Sequence, residues 1–328
     1  MASSYHVGWI CAIHTEYVVA CELLDEEYPT PPLPQDDNAY TCGRVGVHKV
    51  VVACLPKGRY GLTSAATVAN NMLRSFPAIR FGLMVGIGGG APSAIHDIRL
   101  GDVVVSSPTG RTGGVIHYEF GKTVQGKKFD RTGSLSPPPT FILSALQKLT
   151  ALHERQGHQI AETVNQMIHT NARLSRYQRP DSDVLYESSC VHADEERLCT
   201  EVCGTDRIVQ RPVRDTDHDD PVIHYGLIAS ADRLMEDAKV RDHLAQTEEV
   251  LCFETEAAGL MDNFHCVVIR GICDYSDTHK NHVWQGYAAA TAAAYAKELL
   301  SVVTLNEINT EATQPRECLI SSWGLGSG

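Results

Sequence analysis

The 328-residue chain has no apolar run long enough to cross a bilayer. It has no excess of basic residues either: 28 Lys and Arg stand against 40 Asp and Glu, a formal charge of −12. That balance argues against nucleic acid or an acidic membrane as partner, while leaving room for a local basic pocket. The start, Met1-Ala-Ser-Ser-Tyr-His6, lacks the basic region of a signal peptide, and the apolar residues 7–13 read as a first strand. There is no internal repeat, and the glycine run at 86–91 lacks the Gly-Lys-Ser/Thr of a nucleotide-triphosphate loop. Nor do the eleven cysteines suggest a disulfide framework. Cys11, Cys54, Cys252, Cys266 and Cys273 lie inside apolar runs, as reduced thiols used as small hydrophobes do, which points to a cytoplasmic protein. Cys190, His192, Cys199 and Cys203 fall near one another, but their spacing matches no standard zinc pattern. A zinc site there is conceivable, yet no metal or cofactor is expected.

What the chain does have is a core: 43% of residues are hydrophobic and 21% charged. Short apolar runs alternate with helical patterns. Strands are expected over 7–13, 40–42, 49–55, 81–85, 102–106, 222–229, 250–253 and 266–272. Helices are expected over 16–24, 63–76, 139–154, 233–244, 257–263 and 285–303. In the first helix Tyr17, Ala20, Cys21 and Leu24 would face inward. The expected fold class is α/β: a single three-layer αβα domain over 1–305, with a central mixed, twisted sheet flanked by helices on both faces. An irregular insertion with some helix is expected at about 155–218 and a flexible tail at 306–328.

The most informative stretch runs from Val250 to Asp277. It places Glu254 and Glu256 at the end of one apolar run and Asp274 at the end of the next. A strand–helix–strand reading makes these strands parallel, with a right-handed crossover. The three carboxylates would then converge on the sheet edge where open α/β folds bind ligands. Taken singly, each acid could equally be a helix cap or a solvated first-turn carboxylate. The run Gly86-Ile87-Gly88-Gly89-Gly90-Ala91 fits G-x-G-x-x-A, but Pro92 follows at once and leaves no room for the helix a dinucleotide site needs. It reads as a tight bend, or as backbone that lets a small ligand approach closely.

Six motifs, in order and spacing, resemble one family. They are Ala12-Ile-His-Thr-Glu16, Val85-Gly-Ile-Gly-Gly-Gly90, Leu100-Gly-Asp-Val-Val-Val-Ser106, Gly226-Leu-Ile-Ala-Ser230, Phe253-Glu-Thr-Glu-Ala-Ala258 and Arg270-Gly-Ile-Cys-Asp274. Together, over about 7–120 and 222–303, they are similar to the nucleoside phosphorylases and nucleosidases. That family includes the purine and uridine phosphorylases and the methylthioadenosine/adenosylhomocysteine nucleosidases. His279-Lys-Asn-His-Val-Trp-Gln-Gly-Tyr-Ala-Ala-Ala-Thr291 resembles the fungal branch, often the N-terminal domain of larger receptor-like proteins.

The resemblance implies roles. Asp274 takes the place of the acid that protonates N7 of a leaving purine. Glu256 takes that of the carboxylate on the ribose hydroxyls, and Glu16 that of the nucleosidase glutamate activating water. Thr255, Glu254, Phe253, Gly88, Ile87, Leu234 and Met235 fall where substrate is bound. Two departures matter. Met84 and Ile87 replace the phosphate ligands of phosphorylases, so an anion would need Arg59 or Arg111. Thr255 replaces the usual Met under the ribose. The expected function is purine nucleoside hydrolysis, adenosine first, with water as co-substrate. Phosphorolysis and a nucleoside-binding sensor domain are the alternatives. The family also implies a homo-oligomer, a dimer first.

Overall fold

The structure is a computed structural model. It describes residues 2–304 except 127–128, 195–196, 198, 215–219 and 281. The tail expected at 306–328 lies outside the described residues.

The elements in order are β1 (Val7–Cys11), α1 (His14–Glu22), β2 (Glu26–Tyr28), β3 (Tyr40–Val45), β4 (His48–Cys54), α2 (Leu62–Ser75), β5 (Phe81–Gly90), β6 (Val103–Ser106) and β7 (Val115–His117). After the small hairpin β8 (Gly121–Lys122) and β9 (Asp130–Arg131) come α3 (Thr140–Gln156), α4 (Ile160–Thr170) and α5 (Cys199–Val202). The chain then forms β10 (Ile223–Ser230), α6 (Ala238–Glu248), β11 (Val250–Glu254), β12 (Cys266–Asp274) and α7 (Gln285–Val302). One mixed sheet carries the fold, in the order β11-β10-β6-β12-β5-β1-β4-β3-β2, with β7 beside β10.

The strands that read as continuous apolar runs are the buried ones. Val50–Ala53, Val103–Val105 and Val267–Ile269 are all fully buried, as β-branched residues covered on both faces should be. Helix α7 is rich in alanine, and its small side chains let it lie close on β12 and β5. Helix α1 is turned differently from the sequence expectation. Its buried residues are Glu16, Val19 and Ala20, whereas Tyr17 is half-buried and shares a 2.6 Å hydrogen bond with Thr41 Oγ1. A carboxylate therefore points into the protein from the inner face of a helix. The insertion is more ordered than its composition suggests: α4 buries Ile160, Val164 and Met167.

Two further expectations fail, for one reason. β11 and β12 do not run parallel. β11 is antiparallel to β5, and β12 is parallel to it. Residues 257–263 form no α-helix; Ala257–Gly259 is a single 3-10 turn. The connection builds only this turn, and the chain turns back instead of crossing over. In turning, β11 pairs with the far end of β5 through Gly89 and Gly90. The strands β5-β12-β6-β10-β11 thereby close on themselves. The glycine run, expected as a loop, is the end of strand β5 and the seam of this closure.

Candidate active site

Closure brings acidic side chains onto one buried arginine. Arg270, in mid-β12, is fully buried and forms an ion pair with Glu254; its Nη2 also lies 3.6 Å from Glu256 Oε2. Its Nη1 reaches Ile87 O at 3.4 Å. Burial alone would lower the guanidinium pKa, but the charges of Glu254, Glu256 and Glu16 outweigh it and raise the value. Sequence reasoning missed this residue as a site component. The available signal was a lone arginine inside an otherwise apolar strand.

Glu16 meets the cluster from the α1 side. Its Oε2 accepts the N–H groups of Ala12 (2.6 Å) and Ile13 (3.1 Å), and its Oε1 accepts that of Ile87 (2.8 Å). Burial raises its pKa, while Arg270 and these three N–H groups pull it down. The nearby backbone explains the glycine at 86. A Cβ there would stand 2.2 Å from Glu16 Oε1 and 2.6 Å from Arg270 Nη1. Only glycine leaves that space.

Glu256 accepts a hydrogen bond from Thr255 Oγ1 at 2.5 Å and from Gly61 N at 3.4 Å. Its pKa is pushed up to about 7; burial is the main cause, opposed by Arg270 and reinforced by Glu254. Thr255 thus spends its hydroxyl on Glu256. Glu254 was expected to bind substrate, but its carboxylate is occupied. It accepts from the backbone N–H groups of Glu256 and Ala257 and pairs with Arg270. These contacts hold the turn that follows β11.

Asp274 ends β12 just after a register shift, opposite Gly89. A shift of this kind re-aims the side chains that follow it. A Cβ on Gly89 would lie 2.7 Å from Asp274 Oδ1, so this glycine makes room for the second carboxylate. Oδ1 accepts the Ser276 N–H at 2.9 Å. Oδ2 lies 3.1 Å from Cys273 Sγ and 3.6 Å from Lys280 Nζ, a cation inside the motif that begins at His279 but given no role from the sequence. Burial pushes the Cys252 thiol up, and the same thiol is within range of Arg270, Glu254 and Asp274. Asp274 therefore adjoins the glutamate cluster.

Of the remaining expected residues, Gly88 and Phe253 are buried and Ile87 is half-buried. Phe253 packs in a small apolar cluster with Ala91 and Ile116, edge-on to Tyr118, with Met235 against it. Leu234 is exposed. Arg59 and Arg111 are both on the surface. Arg111 lines a cavity of about 360 Å³ with His117, Phe120, Arg131, Ala258 and Asp262. No helix among the described residues is long and apolar enough to cross a membrane.

No protein-family model matches the chain. A nucleotide-binding leucine-rich repeat (NLR)-like protein from Hyaloscypha variabilis is 47% identical over 303 residues, which are 92% of this chain and 29% of that protein. The chain thus spans under a third of that relative's length. Among solved structures, the 5'-methylthioadenosine/S-adenosylhomocysteine nucleosidase of Helicobacter pylori superposes with a TM-score of 0.57 at 13% identity, covering 91% of this chain and 99% of its own. The Neisseria meningitidis nucleosidase gives 0.57 at 16% identity, over 90% and 98%. Futalosine hydrolase of Helicobacter pylori gives 0.54 at 14%, over 91% and 98%. The chain therefore has the fold of these nucleosidases, as its motifs led one to expect.

Proposed function

We propose that the chain hydrolyses the N-glycosidic bond of a purine nucleoside, adenosine foremost, to free base and ribose. The observation that carries this reading is Glu16: a buried carboxylate fixed by three backbone N–H groups, beside Arg270 and the Glu256 cluster. Breaking the bond builds positive charge on the sugar and negative charge on the base. Glu256 would hold the ribose hydroxyls, Glu16 would take a proton from the attacking water, and Asp274 would supply one to the purine. Lys280, 3.6 Å from Asp274, is placed to return that proton. Glu16 lies against residues 86–87 and Asp274 against residue 89 of β5. Two to three residues of strand span about 7–10 Å, room for a ribosyl unit between the carboxylates.

Electrostatics favours water over phosphate. Three glutamates surround Arg270, and the guanidinium is already engaged by Glu254. The ligand-facing charge is negative, which suits a developing sugar cation and opposes an anionic nucleophile. One observation favours phosphorolysis as a second reading: Arg111 and Arg131 line a cavity that also touches Ala258, two residues from Glu256, and Arg131 Nη1 is buried without a hydrogen-bond partner. The NLR-like relative supports a wider setting, in which this chain is one domain of a larger receptor-like protein.

The test is direct. Purified protein is incubated with adenosine, inosine, guanosine and uridine, first without phosphate and then with it. Free purine and free ribose without phosphate support the proposal. Base released only with phosphate, as ribose 1-phosphate, moves the assignment to the second reading. Uridine cleaved as fast as purines contradicts the role of Asp274 at N7.

A further inference from the structure

The insertion holds donor side chains that the proposed reaction does not use. Cys190, His192, Cys199 and Cys203 read C-x-H-x6-C-x3-C. Folding adds a fifth, His279, from the segment just past β12. The donor atoms of Cys190, Cys203 and His279 lie within 4.8 Å of one another, and so do those of His192, Cys199 and Cys203. Cys203 is common to both groups. His192 Nδ1 is 3.1 Å from Cys203 Sγ. Around a tetrahedral zinc with bonds of about 2.3 Å to sulfur and 2.0 Å to nitrogen, donors stand roughly 3.5–4 Å apart. Each group of three is already gathered near that spacing, and Cys203 links the two.

Two observations ask for an occupant. His279 is only 8% exposed, yet both ring nitrogens lack a hydrogen bond. Buried imidazole nitrogens are rarely left idle. The Asp277 carboxylate stands 3.5 Å from Nδ1, too far to serve as a good partner. Tyr186 stacks on the ring at 4.1 Å and fixes its plane. The second observation is the poverty of the local core. Among the described residues from 187 to 210, Cys203 alone is buried. A segment without apolar residues to bury is held by something else, and soft thiolates with imidazole select zinc.

We propose that the chain binds one structural Zn²⁺ through Cys190, Cys199, Cys203 and His279, with His192 donating its N–H to a ligating thiolate. The ion ties the insertion to the segment that carries Asp274 and Lys280. A neighbouring contact already joins the two, the His192 backbone N–H donating to Thr278 Oγ1 at 2.8 Å. Three thiolates and one imidazole fill the four positions of a closed site, so the metal is structural and takes no part in the reaction.

The test is metal content of the intact chain, purified under reducing conditions and supplied with zinc. Wild type should hold about one zinc per chain. Cys203→Ser and His279→Ala should each lower it by about tenfold or more, while His192→Ala and the distant control Cys42→Ser keep it. Should Cys203→Ser fail to fold, cobalt(II) substitution of wild type decides the matter. A tetrahedral thiolate spectrum supports the site, and its absence overturns it. No stoichiometric zinc in wild type, or zinc retained in Cys203→Ser, also overturns it. Zinc lost on His192→Ala but kept on His279→Ala removes the tie to the Asp274 segment. None of these readouts depends on activity, so the metal site stands or falls apart from the proposed hydrolysis.

Discussion

Replacing Glu256 by Gln should change how stability depends on pH. The carboxyl is pushed from an ordinary 4.5 to about 7, chiefly by burial. The native state thus holds this proton more tightly than the unfolded chain does. Native stability therefore falls as pH rises from the unfolded value through the folded one. Glu256→Gln has no proton to lose and escapes that fall. Every tenfold gain in proton affinity on folding is worth about 1.4 kcal/mol, so the rise from the unfolded to the folded value is worth ~3 kcal/mol. Urea unfolding followed by fluorescence of the buried Trp9 and Trp284 reads it. Between about pH 5 and pH 8 the wild type should lose ~2–3 kcal/mol relative to the variant. The comparison across pH separates the titration from any constant packing cost of the amide. Base release by the variant should fall, because the amide is a poorer partner for ribose hydroxyls in a charged transition state. Parallel stability curves would refute the reasoning, since they would mean that burial does not hold the Glu256 proton.

Three further outcomes follow from the same cluster. Asp274→Asn should lower base release by about 10²–10⁴-fold while adenosine binding by calorimetry changes little; unchanged turnover would remove Asp274 as the acid. Arg270→Met strands buried carboxylates without their counter-charge and should cost about 3–5 kcal/mol in urea unfolding. Adding Glu254→Gln to that variant should recover part of the loss, and strict additivity would show that the two residues do not interact. Gly86→Ala puts a Cβ 2.2 Å from Glu16 Oε1. It should cost about 1–3 kcal/mol by overpacking and reduce base release, as measured by urea unfolding and base chromatography.

The sheet was legible where burial writes itself locally. Runs such as Val50–Ala53 and Val267–Ile269 can only be covered strands. Strand direction was not legible, because it depends on closure. Residues 255–265 could have been a short crossover helix, and only the pairing of β11 with Gly89 and Gly90 decides otherwise. The glycines misled for a related reason. In isolation glycine weakens a strand and suggests a loop. Here it keeps the strand and gives up Cβ atoms so that Glu16, Arg270 and Asp274 fit around it. The candidate carboxylates were found through motifs, but their partners were not. Arg270 serves Glu254 sixteen residues earlier, a pairing that no sequence spacing announces. His279 joins Cys190 and Cys203 across a still longer gap.

The measurement that bears most directly on the proposed hydrolysis is product formation from adenosine in phosphate-free buffer, by wild type and by Glu16→Gln side by side. Adenine and ribose are quantified by chromatography. Wild type should give equal amounts of adenine and free ribose. The variant should give about 10²–10⁴-fold less while still binding adenosine, because only the water-activating base is gone. Adenine that forms only when phosphate is added, or a variant as fast as wild type, would contradict hydrolysis by water that Glu16 activates.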